Sequence, residues 1–331
     1  MKKILHYLLE HKTLSRLAAK DVLMQMSEGK FNESELAAFI TVYLMRSITI
    51  DELLGFRDAL LDLSVKIDLG NEPVIDIVGT GGDGKNTFNI STLACFIVAG
   101  AGVKVAKHGN YGASSISGSS NVMEQLGYQF SNQQEKLKKE LEKANICFLH
   151  APLFHPALKV VGPIRKNLGV RTFFNMLGPL VNPASPATQL IGVYNLEMAR
   201  IYNYVLQQTG KPFTIIHSLD GYDEVSLTND TKVITASGEK MYSARELGKR
   251  LVLPEDLYGG DTLEAAANLF RNIINGNGTW SQNAVVLANA ALALAGTGHY
   301  ANYEDAYQAA VVSLESGAAR NSLETLISLQ A

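Results

Sequence analysis

Over residues 1 to about 65 the apolar positions recur three and four apart: Leu14, Leu17 and Ala18, then Leu36, Phe39, Ile40, Tyr43 and Leu44, then Leu53, Leu54, Leu60 and Leu61. That period lines one face of a helix. Turn and cap signals at residues 12–15, 29–32 and 47–51 separate the stripes, so the pattern predicts helices alone, with no catalytic residue among them. From Val74 the period changes. Residues 74–78 form an apolar run, broken only by Asp76, of the buried-strand kind, 93–101 read as an apolar helix, and 103–106 as a second strand. A charged amphipathic helix over 132–144 follows, with its lysines interleaved among glutamates as on a solvated face, and then a short strand over 145–150. Strand 189–194, helix 197–209 and strand 213–217 continue the βα rhythm of a largely parallel sheet. Residues 232–237 and 239–242 read as a pair of short strands, and 262–274, 283–295 and 303–316 as helices covering the sheet.

Residues 70–73 are a plausible linker between the helical and sheet regions. Farther on, Pro152, Pro156 and Pro163, then Pro179, Pro183 and Pro186, bracket a helix-rich passage where the chain leaves one domain and re-enters another. A chain of 331 residues accommodates this as one large or two ordinary domains. Apolar residues at 47% and charged ones at 18% match a globular protein with a substantial core. The net charge of −3 argues against a nucleic-acid partner. Cys95 and Cys147 fall in apolar segments and read as buried, reduced thiols. Met1, Lys2 and Lys3 resemble the start of a signal peptide, but His6 interrupts the apolar run 4–9 and no cleavage site follows. No segment has the roughly 18 apolar residues of a membrane helix. The expected location is the cytoplasm, without a membrane partner.

The chemistry concentrates in residues 74–126. After the first strand comes Gly79-Thr-Gly-Gly-Asp-Gly84, a loop whose glycines let main-chain N–H groups approach a ligand. Asn89, Ser91 and Thr92 are good N-caps for the helix behind it, and a helix N-terminus suits phosphate. The next strand delivers Lys107, His108, Gly109 and Asn110 to the same edge, the carboxyl end of the strands, where open α/β sheets bind ligands. Two short templates fit the loop incompletely. Gly79, Gly81 and Gly84 satisfy G-x-G-x-x-G, yet Lys107 stands where that fingerprint needs an acid for ribose. Gly79 to Lys85 fits the start of a phosphate loop, but Asn86 replaces the Ser or Thr that would meet magnesium.

A third pattern covers far more positions. Gly79-Thr-Gly-Gly-Asp83, Asn89-Ile-Ser-Thr92, Lys107-His-Gly-Asn110 and Ser117-Gly-Ser119 occur in order, followed by His155-Pro156, Gly162-Pro-Ile-Arg165, Leu168-Gly-Val-Arg-Thr172, the stretch from Phe174 to Pro183, and Asp223-Glu224. Together they resemble the anthranilate phosphoribosyltransferase family along essentially the whole chain. The resemblance implies an α/β fold with a small all-helical N-terminal domain and a larger α/β domain on a mainly parallel sheet, of the nucleoside phosphorylase and phosphoribosyltransferase kind. Residues 1–70, completed by about 156–185, would form the helical domain, and 71–155 with 186–331 the α/β domain.

It also implies transfer of the phosphoribosyl group of phosphoribosyl diphosphate to the amine of anthranilate. Gly79, Gly82, Asp83, Thr87, Asn89, Ile90, Ser91, Thr92, Lys107, Ser115 and Ser119 would bind phosphoribosyl diphosphate. Gly79, His108, Asn110 and Arg165 would bind anthranilate, Arg165 taking its carboxylate through a planar, permanently charged fork. Arg171 is read as structural. Asp223 and Glu224, with the hydroxyl of Ser91, would hold one or two magnesium ions, because adjacent carboxylates repel without a cation between them. No general base is assigned. A homodimer through the helical domain is expected.

Two positions depart from the family pattern: Tyr111 stands where arginine is usual, and Asn121 where the usual Gly-Ser-Ala-Asp reads Gly118-Ser-Ser-Asn121. Two other readings are a pyrimidine-nucleoside phosphorylase-like enzyme and a non-catalytic paralogue that binds nucleic acid. The first would not need the Asp223-Glu224 pair, and the second should have lost both motifs and gained a basic groove.

Overall fold

The computed structural model describes residues 1–112, 116–248 and 250–330. The chain divides into two compact units, residues 1–67 with 151–185, and residues 68–150 with 186–331.

The first unit is helical. It contains α1 (Lys2–Leu9), α2 (Arg16–Ser27), α3 (Glu33–Met45) and α4 (Ile50–Asp62). Capping boxes start α3 and α4: Asn32 with Glu35, and Thr49 with Glu52. Glu52 is fully buried and serves several partners beyond its own cap. Its carboxylate accepts from Leu14 N (2.9 Å), from the Tyr43 hydroxyl (3.3 Å) and from both terminal nitrogens of Arg46 (2.9 and 2.6 Å). These hydrogen bonds, the Arg46 guanidinium foremost, hold its pKa below the ordinary value against the opposing effect of burial. The returning segment joins this unit through aromatic packing. Phe173 stacks on Phe56 with centroids 4.7 Å apart and meets Tyr43 at 4.9 Å.

In the second unit β1 (Ile75–Gly79), α5 (Ile90–Gly100), β2 (Val105–Gly109), α6 (Ser119–Gln125), α7 (Gln134–Ala144) and β3 (Ile146–His150) come first. The chain then adds α8 (Ala151–Phe154) and α9 (Leu158–Leu168) to the helical unit. It resumes the second unit with β4 (Thr188–Gly192), α10 (Leu196–Gln207), β5 (Phe213–Ser218), β6 (Thr231–Thr235), β7 (Gly238–Tyr242), α11 (Ala244–Gly248), α12 (Leu263–Asn272), α13 (Trp280–Gly296), α14 (Tyr303–Glu315) and α15 (Ala318–Ser328).

Among the described residues the sheet has seven strands in the order β3-β2-β1-β4-β5-β6-β7. β3 to β5 pair in parallel, and β6 and β7 add an antiparallel edge. The order reverses between β1 and β4, which is where an open α/β sheet splits its loops to opposite sides and leaves a crevice. α5 and α13 are buried almost end to end, as their apolar sequences require. Among the described residues no helix is long and apolar enough to cross a membrane.

β2 begins and ends later than the apolar run suggested, at Val105–Gly109, so Lys107 and His108 lie inside the strand and not in the loop beyond it. Both are buried, and apolarity alone could not place them there.

Candidate active site

Two glycines stand at the reversal. Gly79 at the end of β1 lies opposite Gly192 at the end of β4, and Thr80 N donates to Gly192 O at 2.9 Å. Both make room for Asp223. A Cβ on Gly79 would stand 2.4 Å from Asp223 Oδ2, and one on Gly192 only 1.6 Å from Asp223 O. The Gly192 contact is with main chain and is sterically impossible, while a side chain on Gly79 would displace the Asp223 carboxylate, so both strand ends must lack side chains for the loop and its acid to settle as they do.

That loop is pinned from behind. Ser218 Oγ donates to Glu224 O at 2.7 Å. The buried amide of Asn289 on α13 accepts from Val225 N (3.0 Å) and donates to Val225 O (2.9 Å), which holds the main chain beside the acid pair from both sides.

From this seat the two acids reach the glycine-rich loop. Asp223 Oδ2 accepts from Gly81 N at 2.6 Å. Gly81 and Gly82 have φ of +65° and +79°, a left-handed pair open to glycine at little cost, which turns the loop back over the strand end. Glu224 Oε1 accepts from Ser91 N (2.9 Å) and Ser91 Oγ (2.5 Å), and Thr87 Oγ1 lies 3.5 Å from Oε2. Glu224 therefore occupies the N-terminus of α5, where an anion is favoured.

The expected caps work differently. Asn89 precedes α5 but makes no side-chain cap; its amide donates to Ser117 O at 3.0 Å, and Ser117 Oγ returns a bond of 3.3 Å to its oxygen. With Glu224 already on the first-turn donors, the asparagine is released to bind the adjoining loop. Ile90 and Thr92 are buried at the helix start.

Charge is crowded here. Burial, followed by the neighbouring charges of Glu224 and Asp83, pushes Asp223 well above the ordinary carboxylate range. Burial pushes Glu224 up to about 7, with Asp83 adding to the rise and Ser91 and Lys107 opposing it. Burial also raises Asp83, whose Oδ1 accepts from Lys85 N at 3.0 Å. Lys107 is only 3% exposed and donates from Nζ to Ile77 O at 2.6 Å, so its ammonium is fixed beneath the loop.

Among the described residues no group of three or more His, Cys, Asp or Glu side chains is spaced to enclose a metal. Asp223 and Glu224 nonetheless suit magnesium. They are hard oxygen donors whose proton affinities are both raised by burial and neighbouring carboxylates, and magnesium is commonly held by one or two carboxylates with substrate phosphates and water completing its shell.

The end of β2 meets α6. Ser119 Oγ donates to Asn110 O at 3.4 Å, and His108 N donates to Asp76 Oδ1 at 3.1 Å. Asn121 Oδ1 accepts from both Gly112 N (2.9 Å) and Gly118 N (3.0 Å), and a carboxylate oxygen would serve equally. The Tyr111 hydroxyl donates to Glu124 at 2.7 Å, and its ring meets His150 edge-on at 4.8 Å. Ser115 lies outside the described residues.

In the helical unit Arg165 is half-buried on α9, its guanidinium 5.4 Å from the Phe174 ring centroid and bonded to Asn175 Oδ1 at 3.3 Å. Burial lowers its pKa, and among the described residues no carboxylate lies within ion-pair reach of it. Arg171 is exposed.

Sequence reasoning missed Gly192 and Asn289. Each is a single unremarked residue in an apolar segment, and its role depends on a loop far away in the chain.

The sequence matches a glycosyl transferase family a/b domain over residues 71–320 and a glycosyl transferase family helical bundle domain over residues 2–64. Anthranilate phosphoribosyltransferase of Flavobacterium johnsoniae is 57% identical over 326 residues, 98% of each chain. The enzyme of the same name from Bacteroides thetaiotaomicron is 54% identical over 99% of each. The crystal structure of anthranilate phosphoribosyltransferase from Thermus thermophilus superposes with a TM-score of 0.92 at 30% identity, covering 98% of both chains. The structure of the Saccharomyces cerevisiae enzyme in complex with PRPP and Mg gives 0.87 at 27% identity, covering 96% of this chain and 93% of that one.

Proposed function

The chain belongs to the anthranilate phosphoribosyltransferase family, and on that premise we propose how its residues divide the work. The enzyme transfers the 5-phosphoribosyl group of phosphoribosyl diphosphate to the amine of anthranilate in tryptophan biosynthesis, releasing diphosphate. The bond from the anomeric carbon to the diphosphate breaks, a bond to the amine nitrogen forms, and the amine loses a proton. The carbon becomes cation-like while the leaving group gains charge, so catalysis rests on placement and on fixed positive potential.

The backbone of residues 79–83, with Thr87, Asn89, Ile90, Ser91 and Thr92, cradles the phosphoribosyl diphosphate. Lys107 supplies charge from below, and Ser115 and Ser119 complete the binding set. Asp223 and Glu224, with Ser91, would hold one or two magnesium ions, which would supply positive charge to the diphosphate. The observation carrying this reading is the buried acid pair with raised pKa values at the N-terminus of α5, a charge arrangement that a divalent cation relieves. The yeast relative solved in complex with PRPP and Mg supports the same choice of ligands.

Arg165 takes the carboxylate of anthranilate, and its lack of an acidic partner among the described residues favours that role. Gly79, His108 and Asn110 contact the aromatic amine. A homodimer forms through the helical unit, favoured by Leu17 and Met45, which are 80% and 83% exposed. The buried free thiols of Cys95 and Cys147 suit the cytoplasm.

The direct test mixes purified protein with phosphoribosyl diphosphate, anthranilate and magnesium and follows the loss of anthranilate fluorescence, with and without EDTA. Magnesium-dependent loss that disappears in the Asp223→Ala, Glu224→Ala double variant is expected. Absence of any loss at high substrate concentrations would refute the assignment.

A further inference from the structure

The short stretch that joins the glycine-rich loop to α5 is paired with a distant segment. Residues 254–260, a 3-10 turn over Pro254–Leu257 and the three residues after it, run antiparallel to residues 86–88. Phe88 N donates to Leu257 O (2.9 Å), Gly259 N to Asn86 O (2.8 Å), and Asn86 Nδ2 to Gly260 O (2.9 Å), with Thr87 and Tyr258 paired between them. The segment is itself anchored. Leu257 is buried in the core, and Asp256 accepts from Ser281 Oγ on α13 at 2.9 Å.

Gly259 sits where the two backbones approach most closely. A Cβ there would lie 2.5 Å from Thr87 O, 2.7 Å from Thr87 C and 2.9 Å from Phe88 N. All three are main-chain atoms and cannot swing aside as a flexible side chain would. The backbone of Gly259 itself is outside the left-handed region, so alanine is conformationally allowed and the whole consequence falls on the loop. Restoring ordinary contact at about 3.4 Å from 2.5 Å moves Thr87 by about 0.9 Å. Thr87 is 3.5 Å from Glu224 on its other side, and α5 begins three residues later.

We propose that Gly259 is a positioning residue: residues 254–260 form a clasp that sets the height of Thr87 and the N-terminus of α5, and thereby the fit of phosphoribosyl diphosphate. The ligand's identity rests on the family reading, while the clasp rests on geometry alone. The clasp touches one substrate's site and no residue assigned to anthranilate. Its disturbance should therefore separate the two substrates.

The test compares wild type, Gly259→Ala, Asn86→Ala and Leu253→Ser, the last changing an exposed side chain next to the same segment. Phosphoribosyl diphosphate binding with magnesium is measured by calorimetry, alongside both KM values and Tm. A displacement near one ångström predicts a loss of affinity of about tenfold or more for Gly259→Ala. Asn86→Ala should lose less, in the same direction, because it removes side-chain bonds to the clasp and adds no clash. KM for anthranilate should stay within about twofold, and Leu253→Ser should match wild type in affinity, both KM values and Tm.

Unchanged phosphoribosyl diphosphate affinity in Gly259→Ala overturns the proposal, as does an equal loss for both substrates accompanied by a fall in Tm. If Gly259→Ala does not fold, Asn86→Ala decides by the same criterion. Wild type that binds phosphoribosyl diphosphate without turning over anthranilate would count against the reaction and leave the clasp testable by binding. Wild type that binds no phosphoribosyl diphosphate would overturn both.

Discussion

Replacing Glu224 by glutamine keeps the side-chain shape and the acceptor for Ser91 while removing the charge. In the metal-free wild type, burial lifts the carboxyl from its ordinary 4.5 to about 7. At about 1.4 kcal/mol per pH unit that rise is worth about 3 kcal/mol. The sign follows from linkage. Between about 4.5 and 7 the folded protein binds more protons at this group than the unfolded chain does, so its contribution to stability is complete below 4.5 and is lost as the pH rises through 7. Asp223 shifts the same way, and neutralising Glu224 also relieves it, which enlarges the effect.

Urea unfolding in EDTA at pH 5, 6, 7 and 8 should therefore find Glu224→Gln gaining on wild type with pH. The difference should be small at pH 5 and approach about 3 kcal/mol in favour of the variant at pH 8. Magnesium with phosphoribosyl diphosphate should reverse the order at pH 8 by stabilising only the wild type appreciably. A stability difference that does not change with pH would refute the electrostatic account of the acid pair.

Glu52→Ala strips the half-buried Arg46 guanidinium and several other donors of their fully buried acceptor, and should cost about 3–5 kcal/mol in urea unfolding. Gly192→Ala would drive a Cβ into the Asp223 carbonyl, so the magnesium dependence of turnover should be lost even where circular dichroism shows the protein folded. Arg165→Ala should raise KM for anthranilate by about tenfold or more, leaving phosphoribosyl diphosphate affinity unchanged in calorimetry, because a charged hydrogen bond is worth about 1.5–3 kcal/mol. Asn121→Asp should keep kcat/KM within about twofold, since either side chain can accept from Gly112 and Gly118.

Much of this was legible in the sequence because it is local. The 79–84 glycines, the βα alternation and the helical stripes each declare themselves within a dozen residues. What was not legible depends on distant partners. Asn89 has the ideal composition for a cap, yet Glu224 reaches the helix from 133 residues away and displaces it from that duty. Lys107 and His108 look like loop residues by polarity, yet both are buried in β2, where the Ile77 carbonyl receives the Lys107 side chain and Asp76 the His108 main-chain N–H. α15 escapes a reading by periodicity because its buried Ala319, Leu323 and Leu326 make only a short, thin apolar stripe among polar residues. Gly192 and Gly259 are ordinary letters until the atoms they make room for are in place.

The reversal between β1 and β4 also shapes how this protein is made. On the ribosome, β1 to β3 emerge together with α5 to α7, but the partner for the other edge of β1 is not synthesised until the helical segments of residues 151–185 have passed. Throughout that interval Ile75, Ile77 and their main-chain groups form an unpaired edge, open to pairing with another nascent chain. The acid pair arrives later still, after β4 and β5. Until β4 is made the growing chain holds three of the seven strands, and its main hazard in that period is association through β1.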